Sequence, residues 1–144
     1  MENVVRTPTS NPQTRLQLFT QTLKRLDAHG TAEEQTLFLA MQDEPLARAA
    51  ALEALEWHRS ARRILRELTV LSPWDELWLP KMLVVRGIIA AHIRTEEETT
   101  LRVFEQVFDP SRIEHLDSSF HSVEDDIQKK ETVGTYEMAS KLEY

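Results

Sequence analysis

The sequence predicts an all-α protein, an up-down helical bundle of three long helices and a shorter C-terminal helix. Three observations support this prediction. Apolar residues recur at intervals of three and four along most of the 144-residue chain, which is helical spacing and not strand alternation. Only three glycines occur, too few for a sheet of many short strands. Prolines interrupt the apolar pattern at three places and so divide the chain into four segments.

The first predicted helix begins at Asn11-Pro12 and runs to about Gln42. Proline suits this start because its missing N–H costs nothing in the first turn. The apolar stripe of this helix begins with four residues at helical spacing, namely Leu16, Phe19, Leu23 and Leu26. The sequence Asp43-Glu44-Pro45 ends the segment, and the residues before Asn11 form a polar tail.

Two further long helices and one shorter helix follow. The second runs from about Leu46 to Val70, before Ser72-Pro73, and the third from about Trp74 to Phe108, before Asp109-Pro110. The predicted apolar face of the second helix consists of Leu52, Leu55, Leu65 and Leu68. The fourth segment has a weaker apolar stripe that begins at Ile113. We therefore expect one domain over 1–144, with a bundle core at 13–109, an accessory helix at 110–131 and a loose tail at 132–144.

Composition excludes several classes of function. The net charge of −7 argues against binding to nucleic acid or to an anionic membrane surface. Cysteine is absent, so disulfides, thiol catalysis and thiolate metal sites are excluded. The three glycines lie too far apart for a phosphate-binding loop. No apolar run approaches the length of a membrane span or forms a signal peptide, and we expect a cytoplasmic protein.

Five ionisable residues interrupt the apolar stripes of the three long helices. Helical steps from the apolar residues lead to His29 and Glu33 in the first helix, to His58 in the second, and to His92 and Glu96 in the third. An unpaired buried polar group costs about 1–3 kcal/mol, and an isolated charge costs far more. The five groups therefore either pair with one another or bind a cation.

The spacing of these residues favours a cation. His29-Glu33 and His92-Glu96 are both His-x-x-x-Glu, and residues four apart lie on the same face of a helix. Each pair offers a nitrogen and an oxygen to one point, and His58 adds a terminal nitrogen. Histidine and carboxylate without thiolate suit iron or manganese, and zinc is an alternative. Glu33 and Glu96 are then able to bridge two metal ions inside the bundle.

Simpler interpretations exist for the individual residues. A single His-x-x-x-Glu is usually a surface pair, and an isolated His58 is usually a core histidine with a hydrogen-bond partner. Glu34 is either part of a solvated face or an acceptor for a ligand histidine. His115 and His121 point away from the stripe of the fourth helix, and we expect both to be exposed.

Three stretches resemble the metal-binding motifs of hemerythrin-like domains, also called HHE cation-binding domains. LDAHGTAEEQTLF (Leu26 to Phe38) resembles the second-helix motif of that family. LEWHRSARRILREL (Leu55 to Leu68) resembles the third-helix motif, and IIAAHIRTEEETTLRVF (Ile88 to Phe104) resembles the fourth. The resemblance implies an up-down bundle around a non-haem di-iron centre.

The resemblance also implies a role for each residue. His29, His58 and His92 would be terminal ligands, and Glu33 and Glu96 would be bridging carboxylates. Members of the family bind dioxygen, sense oxygen, iron or nitric oxide, or store iron. The resemblance therefore implies a small diatomic ligand as the partner.

The chain departs from the family pattern at its N-terminus. The first helix of the family, which supplies a further histidine, is missing from this sequence. Three alternatives follow: a second subunit completes the bundle, the segment from Ser111 to Lys130 fills the vacant position without donating a ligand, or the site holds one metal ion or none. We expect homo-oligomerisation, because three helices alone would expose an apolar groove.

Three hypotheses of function follow. The first is a hemerythrin-like di-iron protein that binds a diatomic ligand, and nothing in the sequence marks it as an enzyme. The second is a helical interaction module with a degraded or empty metal site. The third, a ferritin-like oxidase, ranks last because the Glu-x-x-His spacing of that group is absent.

Overall fold

The computed structural model describes residues 1–7 and 11–140, and side chains at 1–7, 11 and 13–130. These residues form helices connected by short turns, and no strand occurs among them. The helices, in chain order, are α1 (Glu2–Arg6), α2 (Pro12–Gln35), α3 (Leu37–Gln42), α4 (Arg48–Val70), α5 (Trp78–Thr95), a π-helical turn (Glu96–Thr100), α6 (Leu101–Val107) and α7 (Pro110–Ser140). The predicted all-α class is confirmed.

The start of α2 follows from its first residues. The Asn11 side chain accepts a hydrogen bond from the backbone N–H of Thr14 at 3.3 Å, and Pro12 occupies the first turn. The side chain thus satisfies one of the N–H groups that a helix start leaves unpaired. This is the start that the sequence predicts.

The first predicted helix is interrupted at Thr36, which separates α2 from α3. The Thr36 hydroxyl donates a hydrogen bond to the carbonyl of Ala32 at 2.6 Å, and its backbone has φ −122° and ψ −79°. Thr20 and Thr22 form the same kind of bond without interrupting α2, so this hydroxyl bond accompanies the bend and does not by itself cause it. The uninterrupted helix predicted to Gln42 is wrong at this residue.

The third predicted helix is also not uniform. α5 begins at Trp78, and the π-helical turn lies between α5 and α6. In this turn the N–H of Leu101 bonds to the carbonyl of Glu96, five residues earlier. Single π turns inside α-helices occur frequently at functional sites, and this one begins at a predicted metal ligand.

Two apolar clusters form the core. One includes Phe19, Leu65 and Trp78, and the other includes Phe38 and Phe104. The buried face of α4 contributes Ala61, Leu65 and Leu68 to the first cluster, and Ala51 and Ala54 to the second. The small alanine side chains allow the neighbouring helices to approach α4 closely.

Some predicted core residues are exposed, and the predicted polar tail is partly buried. Leu16 and Leu52 are 45% and 44% exposed, so their assignment to the core stripe is wrong. The residues before Asn11 include α1, whose Val4 is buried in the first cluster. Glu2 forms an ion pair with Arg86 of α5 at 3.0 Å, which attaches α1 to the bundle.

α7 packs along α2 and makes further contacts with α3. It begins at Pro110 and extends to Ser140 over 31 residues, which makes it longer than α2, α4 or α5. The predicted shorter C-terminal helix is therefore wrong, and the loose tail predicted from 132 is helical as far as Ser140. Residues 141–144 of that predicted tail lie outside the described residues. Within the described ranges, no helix has the length and apolar character needed to span a membrane.

Candidate metal centre

Three long helices bring buried metal-ligand atoms together near the middle of the bundle. Glu33 of α2, His58 of α4 and His92 of α5 each place one ligand atom within 4.8 Å of the other two. All three are buried, with exposed fractions of 3%, 9% and 9%. Three of the five residues predicted from the sequence therefore converge.

The distances between these atoms are those expected for ligands of one ion. The Nε2 atoms of His58 and His92 lie 2.9 Å apart, and Glu33 Oε2 lies 3.3 Å from His58 Nε2. Two ligand atoms about 2.1 Å from an ion, at angles of about 90° to 110°, lie about 3.0 to 3.4 Å from each other. The cluster is therefore able to hold a metal ion.

The two oxygens of Glu33 face different histidines. Oε1 lies 3.2 Å from Nε2 of His29, and Oε2 faces His58. Oε2 is buried and has no hydrogen-bond partner among the described residues. A buried carboxylate oxygen without a partner is costly, and a cation in front of it would remove that cost.

His58 is held in place by a carboxylate on its other side. Its Nδ1 lies 2.7 Å from Glu34 Oε1, and Arg62 Nη1 donates to the same oxygen at 2.5 Å. An ionised carboxylate only accepts hydrogen bonds, so this contact assigns the proton to Nδ1 and leaves Nε2 free to bind an ion. Of the two interpretations of Glu34, the structure favours the acceptor.

Arg62 has a structural role that its position in an arginine-rich stretch does not indicate. Besides Glu34, it donates to Thr31 Oγ1 at 3.3 Å and contacts Asp27 Oδ1 at 3.4 Å. Its side chain is 26% exposed. Arg62 thus connects α4 to α2 beside the metal-ligand cluster.

His29 and Glu96 lie at the edge of the cluster. The His29 side chain is 51% exposed, so its predicted burial in the apolar interior is wrong. Glu96 Oε2 lies 3.8 Å from His92 Nε2, beyond hydrogen-bond distance. Both residues nevertheless remain next to a member of the cluster, because each lies one helical turn from it.

α7 contributes a residue that the sequence did not indicate. Glu124 Oε1 lies 3.3 Å from His29 Nδ1, and the Phe120 ring meets the His29 ring edge-on at 5.3 Å. No spacing motif includes Glu124, and only the packing of α7 on α2 places it there. His115 and His121 are exposed, as predicted.

The two carboxyl groups of the site differ in protonation. Burial raises the pKa of Glu33, but the lowering contacts, of which that with His29 is the largest, outweigh burial and hold the pKa well below its ordinary value. Burial and the nearby Glu33 carboxylate raise the pKa of Glu96 to about 8. Two adjacent acids in a buried site do not both ionise readily, so at neutral pH Glu33 carries the charge.

The histidines at the two ends of the site also differ. Contact with Glu33 raises the pKa of His29 to about 9, although partial burial opposes this shift. Burial, and then the neighbouring His58, lower the pKa of His92. His92 is therefore neutral at pH 7 and has a lone pair available for a cation.

A partly open cavity of about 130 Å³ adjoins the cluster. Its walls combine the candidate ligands with apolar side chains of three helices, including Leu26, Leu65, Ile88 and Ile89. A cavity of this size has room for a small molecule beside an ion. Its apolar walls favour an uncharged ligand with little affinity for water.

Comparisons with protein-family models, with curated proteins and with solved structures find no match to this chain.

Proposed function

We propose that this protein is a hemerythrin-like, non-haem iron protein that binds or senses a diatomic molecule or iron inside an up-down helical bundle. In this proposal, a di-iron centre is held by His29, Glu33, His58, His92 and Glu96. The observation that supports it most directly is the buried cluster of Glu33, His58 and His92, whose ligand atoms lie within 4.8 Å of one another.

A cation explains the cluster better than pairing among the side chains. The two facing Nε2 atoms of His58 and His92 share at most one hydrogen between them, and Glu33 Oε2 has no hydrogen-bond partner among the described residues. Buried polar groups in native proteins are normally satisfied. One cation would interact favourably with all three groups at once.

The choice of iron rests on the chemistry of the donor atoms and on the resemblance of the sequence to hemerythrin-like domains. Nitrogen and oxygen donors without sulfur suit iron and manganese, and zinc is compatible. When bound, iron with open coordination positions supplies reversible binding of dioxygen or nitric oxide. Leu26, Ile88 and Ile89 line the adjoining cavity with apolar surface, which disfavours water beside the site.

The protein is proposed to bind its ligand without transforming it. The cavity contains no serine, cysteine or lysine, so its walls offer none of these nucleophiles. In this proposal the chain acts in the cytoplasm as a homo-oligomer, and a sequence without cysteine has no need of an oxidising compartment for disulfides.

The alternative is a helical interaction module with a degraded or empty metal site. The half-exposed His29 and the 3.8 Å separation of His92 Nε2 from Glu96 Oε2 favour this second function. Under this interpretation the metal ligands persist without an ion, and the exposed helix faces carry the function.

Metal analysis and visible absorption of protein purified without added metal distinguish the two functions. We expect iron in the wild-type protein, with the absorption of ferric iron after exposure to air, and a loss of iron in His58→Ala. His121→Ala is the matched control, because His121 is exposed on α7. Folded wild-type protein that is colourless and binds neither added ferrous iron nor zinc would support the alternative.

A further inference from the structure

His29 is oriented by contacts on three sides although it lies partly in solvent. Its Nε2 faces Glu33 Oε1 at 3.2 Å, and its Nδ1 faces Glu124 Oε1 at 3.3 Å. The Phe120 ring packs against the imidazole nearly perpendicularly, with an interplanar angle of 87°. A half-exposed histidine normally samples several rotamers, and these contacts select one.

The same arrangement occurs at His58, on the other side of Glu33. There, Nδ1 faces Glu34 at 2.7 Å, while Nε2 faces Glu33 Oε2 at 3.3 Å. Each imidazole thus lies between an outer carboxylate and one oxygen of the central carboxylate. An outer carboxylate that accepts the Nδ1 hydrogen is the usual device for holding a metal-binding histidine in the correct tautomer.

The two outer carboxylates differ in origin. Glu34 lies on the same helix as Glu33, whereas Glu124 lies on α7, which packs along α2. The side chain of Glu124 is only 22% exposed, so it points towards the bundle and not into solvent. α7 therefore reaches the side of the site at which His29 lies.

We propose that Glu124 is a positioning residue, which holds the His29 imidazole so that its Nε2 and Glu33 Oε1 bind a second metal ion. This inference rests on the proposed function, because it requires that Glu33, His58 and His92 bind a first ion. This positioning contact needs no second subunit, since α7 belongs to the same chain as His29. Glu124 itself acts through His29 and does not contact the ion.

Titration of the metal-free full-length chain with ferrous iron under anaerobic conditions tests the inference. We expect Glu124→Ala to weaken the more weakly bound ion by roughly 10- to 100-fold and to leave the tighter ion unchanged. Glu124→Gln retains a carbonyl acceptor for the Nδ1 hydrogen and should restore most of the affinity. Asp125→Ala is the matched control, because Asp125 is the exposed neighbour on the same helix.

A double-mutant cycle separates positioning from general destabilisation. If Glu124 acts through His29, Glu124→Ala has no further effect on iron affinity in a His29→Ala background. Circular dichroism of the metal-free variants verifies that the helix content is unchanged. Equal effects of Glu124→Ala with and without His29 would contradict the proposal.

The outcomes distinguish this inference from the proposed function. Wild-type protein that binds no iron would refute the proposed function itself. Binding that involves only one ion, or a second ion that is insensitive to Glu124→Ala, would overturn the role of Glu124 and leave the site at Glu33, His58 and His92 intact.

Discussion

The glycine at position 30 offers a sharp test of how closely α2 and α4 approach at the site. A Cβ added to Gly30 would lie 3.3 Å from both Cε1 and Nδ1 of His58, whereas one added to Gly87 would meet nothing within 4 Å. The pair Gly30→Ala and Gly87→Ala therefore introduces the same methyl group into two helices, once against a candidate ligand and once into open space.

The magnitudes follow from the two environments. Replacing glycine by alanine in a helix interior stabilises the folded state by about 1 kcal/mol, and we expect this full gain for Gly87→Ala. At Gly30, the methyl group displaces His58, whose two nitrogens contact Glu34 at 2.7 Å and His92 at 2.9 Å. Weakening one such buried contact costs about 1 kcal/mol, so Gly30→Ala should be close to neutral for stability.

Metal affinity should separate the two variants more clearly. Changes that disturb the orientation of a ligand histidine typically reduce metal affinity by roughly 10- to 100-fold, and we expect this reduction for Gly30→Ala alone. Urea unfolding of the metal-free proteins and anaerobic titration with ferrous iron provide the two measurements. If Gly30→Ala gained as much stability as Gly87→Ala and kept wild-type affinity for iron, then Gly30 of α2 would not lie this close to His58.

Three other predictions concern the site and its surroundings. His92→Ala should lower both the metal content and the metal-dependent part of the thermal stability, because binding and folding are coupled; an unchanged metal load would contradict the ligand assignment. Iron affinity should rise from pH 6 to pH 9, because the pKa is about 8 for Glu96 and about 9 for His29, and iron competes with these protons. Calorimetry of iron binding in buffers of different ionisation enthalpy should detect the protons that are released. Gel filtration with light scattering should give a mass above that of one chain, because α5 exposes Leu83, Val84 and Ile93; a monomer at high concentration would exclude the predicted homo-oligomer.

Metal-free protein should respond to pH in the opposite sense. The raised pKa values of Glu96 and His29 mean that the folded state binds more protons than the unfolded state between the ordinary and the shifted values. Stability from these groups is present at low pH and is lost as the pH rises through about 8 and 9. Chelated protein should therefore unfold more readily at pH 9 than at pH 6.5, and bound metal should reverse this trend.

The sequence was most informative where helical periodicity applies. Residues spaced by three and four share a helix face whatever the tertiary structure, so the inward direction of Glu33, His58 and His92 followed from counting along the chain. The same rule failed for Leu16 and Leu52. Each of these leucines directly follows a buried residue, namely Arg15 and Ala51, so tertiary packing turns a different face of each helix inward at these positions.

The interruptions in the predicted helices are local changes of the backbone. At Thr36 the backbone leaves the helical conformation, and after Glu96 a hydrogen bond that spans five residues replaces the α-helical one. Neither alters the spacing of apolar residues enough to be visible in the sequence. Periodicity therefore predicted the presence of these helices but not the residues at which they bend.

What the sequence by itself determined is the helical class and the position of Glu33, His58 and His92 on the inner faces of three helices. The tertiary structure alone decided how those groups meet: the two oxygens of Glu33 facing different histidines, Glu34 and Arg62 behind His58, and α7 carrying Glu124 to His29. Periodicity specifies directions within one helix, whereas distances between helices depend on how side chains from distant parts of the chain pack together.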